Sequence, residues 1–178
     1  MTVTSWQTFN TKMEEVKSAV LAWGEDIETS VNRGKSLIFV GKTGTGKTHL
    51  GTAIVMGALR KGFVAKIVDC SLLLSEIYET YGKDDAGRAK GEAAKLIRAY
   101  IDLDVLVIDE FMAAYRYDLI PKEEAIEFLE KKPKELEIVL TGRNPDEKLV
   151  ELADYVSEIK KVKHPFDQGI YARKGIEY

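Results

Sequence analysis

SLIFVGKTGTGKTHL, Ser36 to Leu50, is the stretch whose reading decides the fold. Leu37 to Val40 is a short apolar run of the kind that forms a buried strand. It runs into a glycine-rich turn, Gly41-Lys42-Thr43-Gly44-Thr45-Gly46, followed by Lys47 and Thr48. That is G-x-x-x-x-G-K-[ST], the phosphate-binding P-loop. A polyphosphate packs several negative charges into a small volume. Backbone N–H groups can surround it only where side chains do not intrude, hence the glycines. Lys47 would set an ammonium against the β- and γ-phosphates, and the Thr48 hydroxyl would complete a Mg²⁺ shell. The helix that follows, Lys47 to Arg60, aims its positive N-terminal end at the same phosphates.

Working outward, Asn10 to Val31 has a helical pattern, with Met13, Val16, Val20, Leu21 and Trp23 apolar and Gly24 as a break. Leu50, Ala53, Ile54, Met56 and Leu59 form the expected buried face of the P-loop helix, which Lys61-Gly62 stops. Val64 to Val68 is a second strand. Ser71 is the expected N-cap of a helix through Tyr81. Gly82-Lys83-Asp84-Asp85 is a turn. A further helix, Ala86 to Tyr100, should point Ala93, Ala94, Leu96 and Ile97 inward.

Leu103 to Glu110, LDVLVIDE, places four branched apolar residues before two carboxylates. That describes a strand buried on both faces and opening into a site at its C-terminal end. It resembles a Walker B motif. Asp109 would hold Mg²⁺ through water, and Glu110 would orient or deprotonate an attacking water. Phe111 to Ile120 is aromatic-rich, and Phe111, Tyr115 and Tyr117 read as cover for the sheet edge. Pro121 opens another helix, ending at Lys131-Lys132. Glu137 to Leu140 is a fourth strand, ending in Thr141-Gly142-Arg143-Asn144. Pro145 to Ala153 is a short helix. Tyr155 to Val162 is a less apolar fifth strand, expected near an edge. In the tail, Lys163 to Tyr178, the residues Phe166, Tyr171 and Ile176 are candidate anchors.

Alternating strands and helices give a mainly parallel five-stranded sheet covered on both faces, an α/β three-layer sandwich. Right-handed crossovers put every strand C-terminus on one rim. The P-loop, Asp109-Glu110 and Thr141–Asn144 all fall there. The chain is read as a single nucleotide-binding domain, 1–178, with a helical lead-in, 1–33, and a tail, 163–178. The candidate nucleotide-binding residues are Gly41, Thr43, Gly44, Thr45, Gly46, Lys47, Thr48, His49, Thr141 and Arg143. Thr48 and Asp109 are the candidate Mg²⁺ ligands, and Lys47 and Glu110 the candidate catalytic residues. The expected cofactors are ATP and Mg²⁺.

A length of 178 residues suits one domain, and 45% hydrophobic with 31% charged residues is globular in balance. A net charge of −3 supplies no global basic field, so nucleic-acid binding is not expected without a partner protein. The lysines beside His164 (Lys160, Lys161, Lys163) read as a solvated edge. The single cysteine, Cys70, excludes an internal disulfide and fits a cytoplasmic setting. No apolar run approaches the ~20 residues that span a membrane. Two distant histidines and one cysteine offer no metal-ligand spacing.

An acid directly after the Walker B aspartate is similar to the RecA/AAA-like branch of P-loop proteins. That resemblance, not spacing, implies strand order 5-1-4-3-2. Within it, SLIFVGKTGTGKTHLGTAIVMGALRKGFVAKIV, DCSLLLSEI and LDVLVIDE resemble the ATPase core of DnaC/IstB-type helicase loaders over Ser36 to Glu110. YRYDLIPKEEAIEFLEKKP, IVLTGRNP and LVELADYVSEIKKVKHPFDQGIYARKGIEY resemble the ATP:corrinoid adenosyltransferases over Tyr115 to Tyr178. The pattern is that of a mosaic, natural or engineered, joined near the Walker B strand.

The loader resemblance implies a weak ATPase and a homo-oligomer in which Arg116, Arg143 or Arg173 is a finger offered to a neighbour. It implies an asparagine sensor where this chain has Thr141, and an N-terminal helicase-binding module for which Met1 to Lys35 is too short. The adenosyltransferase resemblance implies adenosyl transfer from ATP to a reduced corrinoid. Those enzymes carry lysine at the position of Thr45, a second threonine at that of His49, and an aromatic pair before the Walker B strand. Here Leu72 to Tyr100 offers tyrosines and no tryptophan. A non-catalytic nucleotide-binding scaffold is the third alternative.

Overall fold

The alternation of facing apolar residues along each strand builds the molecule. In the computed structural model, residues 3, 4, 8, 11–26, 29, 33–81 and 88–160 are described, without the side chains of 12, 13, 80, 81 and 88–93. Strand β1 (Ser36–Val40) sends Leu37 and Phe39 to one face of the sheet and Ile38 and Val40 to the other. Strand β3 (Val105–Asp109) does the same with Val105 and Val107 against Leu106 and Ile108. With β2 (Ala65–Asp69), β4 (Glu137–Gly142) and β5 (Tyr155–Glu158) they form one sheet of order β2-β3-β4-β1-β5. Every pairing is parallel, with Leu37 opposite Val139 and Val107 opposite Val139 on its other side. This is the 5-1-4-3-2 order that the RecA/AAA-like resemblance implies. The central strands are buried on both faces, and a fully buried Ile or Val contributes roughly 1.5–3 kcal/mol.

Helices cover both faces. On the first face lie α1 (Thr11–Glu25) and α2 (Lys47–Arg60), which share a core of Val20, Trp23, Leu50 and Ile54 with the inward residues of β1, β3 and β4. On the second lie α3 (Cys70–Tyr81), α4 (Arg88–Ile101), α5 (Phe111–Arg116), α6 (Lys122–Lys131) and α7 (Glu147–Leu152). Edge strand β5 is mostly exposed, as its pattern predicts.

Several local expectations change. Helix α1 passes through Gly24 and ends at Glu25, so Gly24 does not break it. The buried stripe of α2 is Leu50, Ile54, Val55 and Ala58, and Met56 and Leu59 face solvent because only that stripe meets the sheet and α1. Leu21 is partly exposed for the same reason. In α4 the inward residues are Leu96 and Tyr100, whereas Ala94 and Ile97 are exposed. The cap of α3 is Asp69, not Ser71: its Oδ1 accepts from the Ser71 N–H at 2.8 Å and the Leu72 N–H at 3.3 Å. The Ser71 hydroxyl also donates to it. The aromatic-rich segment folds as α5, burying Phe111, Met112, Ala114 and Tyr115 under the sheet rim, while Tyr117 is exposed. The expectations for Gly82–Asp85, for the tail 163–178 with Phe166, Tyr171 and Ile176, for His164 and for Arg173 lie outside the described residues, as do the side chains of Met13 and Ala93.

Candidate functional site

The site starts where β1 ends. The Gly41 N–H donates to the Gly142 carbonyl of β4 at 3.1 Å, which ties the root of the loop to the neighbouring strand. A Cβ at Gly41 would stand 2.3 Å from the Ile159 carbonyl and 2.7 Å from the Thr45 hydroxyl, so only glycine fits there. The loop closes at Gly46, whose φ of 94° lies in the left-handed region open to glycine at little cost. The first intrahelical donor, the Leu50 N–H, reaches the Gly46 carbonyl at 3.0 Å. The N–H groups of Gly46, Lys47 and Thr48 therefore point out of the helix end.

The loop is braced from inside by Thr45. Its N–H (3.3 Å) and its hydroxyl (2.9 Å) both donate to the Lys42 carbonyl, and the residue is buried. Thr45 thus shapes the loop with its side chain and presents Thr43 and Gly44 at the exposed crest. Lys47 is only 4% exposed, yet its Nζ sits at the loop, 3.4 Å from the Lys42 carbonyl and 3.6 Å from Glu110 Oε1. An ammonium this enclosed is a strong local field aimed at the space the loop surrounds.

The second and third strands of the site complete it. The Thr48 hydroxyl donates to Asp109 Oδ2 at 2.8 Å. The Thr141 hydroxyl, fully buried at the end of β4, donates to Asp109 Oδ1 at 2.5 Å and accepts from the Glu110 N–H at 3.1 Å. Glu110 turns the chain off β3 with φ 54°, a left-handed conformation uncommon for a residue with a side chain. The Thr141 contact fixes that turn and so directs the Glu110 carboxylate toward Lys47. Thr48, Asp109, Glu110 and Thr141 thus form one hydrogen-bonded cluster, joined by Lys47 through its ion pair to Glu110 and drawn from the start of α2 and the ends of β3 and β4. Hydroxyl and carboxylate oxygens at Thr48 and Asp109 are the hard donor set that Mg²⁺ takes, usually one or two protein oxygens with phosphate and water.

Two candidates sit apart from this cluster. His49 is half-buried one residue further along α2 and makes an interaction there. Arg143 is exposed just beyond Gly142 and joins no hydrogen bond or ion pair of the cluster among the described residues. Arg116 closes α5 in its last turn. Phe111 and Tyr115 stack with ring centroids 6.0 Å apart in the core and are cover, as expected. Cys70 is buried and its thiol is pushed up to about 12 by desolvation first and by Asp69 second, so it is inert at neutral pH. Among the described residues no three His, Cys, Asp or Glu side chains converge as a metal site, and no helix is long and apolar enough to cross a membrane.

Sequence reasoning missed the inward role of Thr45 and the double contact of Thr141. The signal for Thr141 was present, a hydroxyl ending an otherwise apolar strand, but only the strand order puts it beside Asp109. Asp69 pairs in register with Asp109 and lies on the same rim, where it spends its carboxylate on the α3 cap. Beside it, Ser71, Leu74, Tyr78, Glu79, Asp118 and Leu119 line an open groove of about 600 Å³.

Known proteins resemble the chain in two ways. A corrinoid adenosyltransferase from Sinorhizobium sp is 46% identical over 94 residues, covering 52% of this chain and 44% of that protein. The replicative helicase loader DnaC of Buchnera aphidicola is 31% identical over 106 residues, covering 60% of this chain and 42% of that protein. The chain thus spans about half the length of the curated relatives it matches. The crystal structure of the DnaC helicase loader superimposes with a TM-score of 0.68 at 18% identity, over 89% of this chain and 96% of that one, and so shares its P-loop NTPase fold. The family described as ATP:corrinoid adenosyltransferase BtuR/CobO/CobP matches residues 78–178. That match begins upstream of Tyr115 and overlaps the loader-like segment. A P-loop NTPase related to the helicase loaders in fold, the chain belongs by its sequence to the ATP:corrinoid adenosyltransferase family.

Proposed function

We propose that the chain binds Mg-ATP at this rim and hydrolyses it slowly. The observation that carries the reading is the cluster itself: Thr48 2.8 Å from Asp109, and Glu110 3.6 Å from the enclosed Lys47. The loop amides and Lys47 would hold the β- and γ-phosphates. Glu110 would orient a water in line with the γ-phosphorus and take its proton as the new P–O bond forms and the bond to the ADP oxygen breaks. Thr141 keeps both acids in place through its two hydrogen bonds. A bound Mg²⁺, held by Thr48 and through water by Asp109, would add charge neutralisation on the triphosphate.

The family match favours a second reading at the same cradle. In adenosyl transfer the nucleophile is a reduced corrinoid cobalt, the bond broken is from the ribose 5′ carbon to oxygen, and triphosphate leaves whole. Glu110 would have no proton to take in that reaction. A mosaic origin with a junction near β3, natural or engineered, would leave room for either chemistry or for a non-catalytic scaffold.

Product analysis separates them. Labelled ATP incubated with the protein should release inorganic phosphate and ADP, with or without reduced corrinoid. Triphosphate appearing only with reduced corrinoid would replace hydrolysis by adenosyl transfer. Bound ATP with neither product would leave a nucleotide-binding scaffold.

A further inference from the structure

At the opposite edge of the sheet one acidic side chain is shut inside the protein. Glu137 opens β4 and is fully buried. Its Oε1 accepts a 2.5 Å hydrogen bond from the Trp23 indole N–H of α1. Its Oε2 is buried with no hydrogen-bond partner among the described residues. Among the described residues, three charged groups from three other segments face it: Lys132 after α6, Lys35 before β1 and Asp154 before β5. The Lys132 ammonium is spent on the Gly34 and Leu136 carbonyls, and that of Lys35 on the Tyr155 hydroxyl at 2.7 Å. Asp154 accepts from the Ser36 N–H at 2.8 Å and opposes any ionisation of Glu137. A carboxylate with one bond and a bare buried oxygen is costly, and the neutral acid is much cheaper.

We propose that Glu137 and Trp23 form a proton-operated latch that docks α1 on the P-loop helix when the carboxyl is protonated and loosens it when the carboxyl ionises. The loosened state lets water reach the carboxylate by backing Trp23 away. Because Trp23 and Val20 share their core with Leu50 and Ile54, the latch sets how firmly α1 packs on α2, at the end of the strands away from the P-loop. Burial raises the Glu137 acid from its ordinary 4.5 to about 7, against the smaller lowering influence of the Trp23 bond and the two lysines. The sign follows. Docking is strongest below 4.5, weakens as pH rises toward about 7, where the docked acid also ionises, and is level above that. The weakening is on the order of a hundredfold, tenfold for each pH step over which only the undocked acid is ionised.

The test uses the full chain with Trp6→Phe, so that Trp23 is the one indole. Its fluorescence and the hydrogen exchange of residues 11–25, corrected for intrinsic pH dependence, are followed between about pH 5 and about pH 8. Protection of α1 should fall by on the order of a hundredfold and the indole emission should shift in step. Glu137→Gln should stay docked across the range. A flat parent profile, or a Glu137→Gln profile that falls like the parent's, overturns the latch. If Glu137→Gln does not fold, the ¹³C carboxyl resonance of Glu137 in the parent decides. A midpoint near neutrality supports the latch, and one in the ordinary carboxylate range overturns it. Trp23→Phe should raise that midpoint further, because it deletes the bond that favours the ionised form.

Discussion

The two edges of the sheet hold polar side chains under opposite regimes. At the C-terminal rim Lys47, Thr48, Asp109 and Glu110 have partners, but the cluster opens onto solvent at Thr48 and Glu110. At the N-terminal edge Glu137 is sealed by Trp23 and keeps an oxygen with no hydrogen-bond partner among the described residues. The chain path explains the difference. At the rim β1 leaves through the open glycine-rich loop, whereas at the far end Trp23 of α1 closes over Glu137 at the start of β4. A polar group at the rim can exchange its partner for a ligand oxygen. A polar group at the far edge can only be tolerated or be used to hold elements together. Changes at the rim should therefore alter binding and chemistry, and changes at the far edge should alter stability.

The largest effect on stability is expected from Trp23→Ala. It removes a buried aromatic and the hydrogen-bond donor to the Glu137 carboxyl, and should cost about 3–5 kcal/mol in urea unfolding. Mg-ATP affinity of the folded fraction should change by less than about threefold, since the site lies at the other end of the strands. A collapse of nucleotide affinity would show the two edges to be coupled and break the contrast. Thr141→Val comes next. It strips a donor from Asp109 and an acceptor from the Glu110 N–H, and should cost about 1–3 kcal/mol by denaturant titration. It should slow nucleotide turnover more than it weakens binding, because Glu110 then loses its fixed turn. Asp69→Ala is the smallest. Losing the α3 cap should cost about 1 kcal/mol and show as lower helicity by circular dichroism, with nucleotide affinity unchanged. An Asp69 variant that loses ATP binding would move this rim carboxylate from structure into the site.

How far the sequence could be read follows the same division. The P-loop and Asp109-Glu110 are legible because polyphosphate chemistry demands particular residues at fixed spacing. Gly41 has no room for a Cβ, and Gly46 must take a positive φ. The five strands are legible from their apolar runs, but their order came from a family resemblance, since no local pattern says that β4 lies between β1 and β3. Helix α5 was missed because FMAAYR is buried over most of its surface and so shows no polar face to set a period. The Asp69 cap was missed because Ser71, two positions on, is also a capping residue type and the helix begins at Cys70, earlier than the sequence pattern suggests. Nothing in the sequence marks Glu137 as buried. A glutamate that starts a strand reads as solvated, and only the approach of Trp23 from 114 positions away encloses it.

If the rim binds nucleotide, the enclosed ammonium of Lys47 is the charge that meets the phosphates. Calorimetric titration of Mg-ATP into the parent and into Lys47→Ala tests this most directly. The parent should bind and the variant should lose about a hundredfold or more in affinity, while both unfold at similar denaturant concentration. Equal affinity in the two proteins would place the nucleotide elsewhere and contradict the reading of the rim.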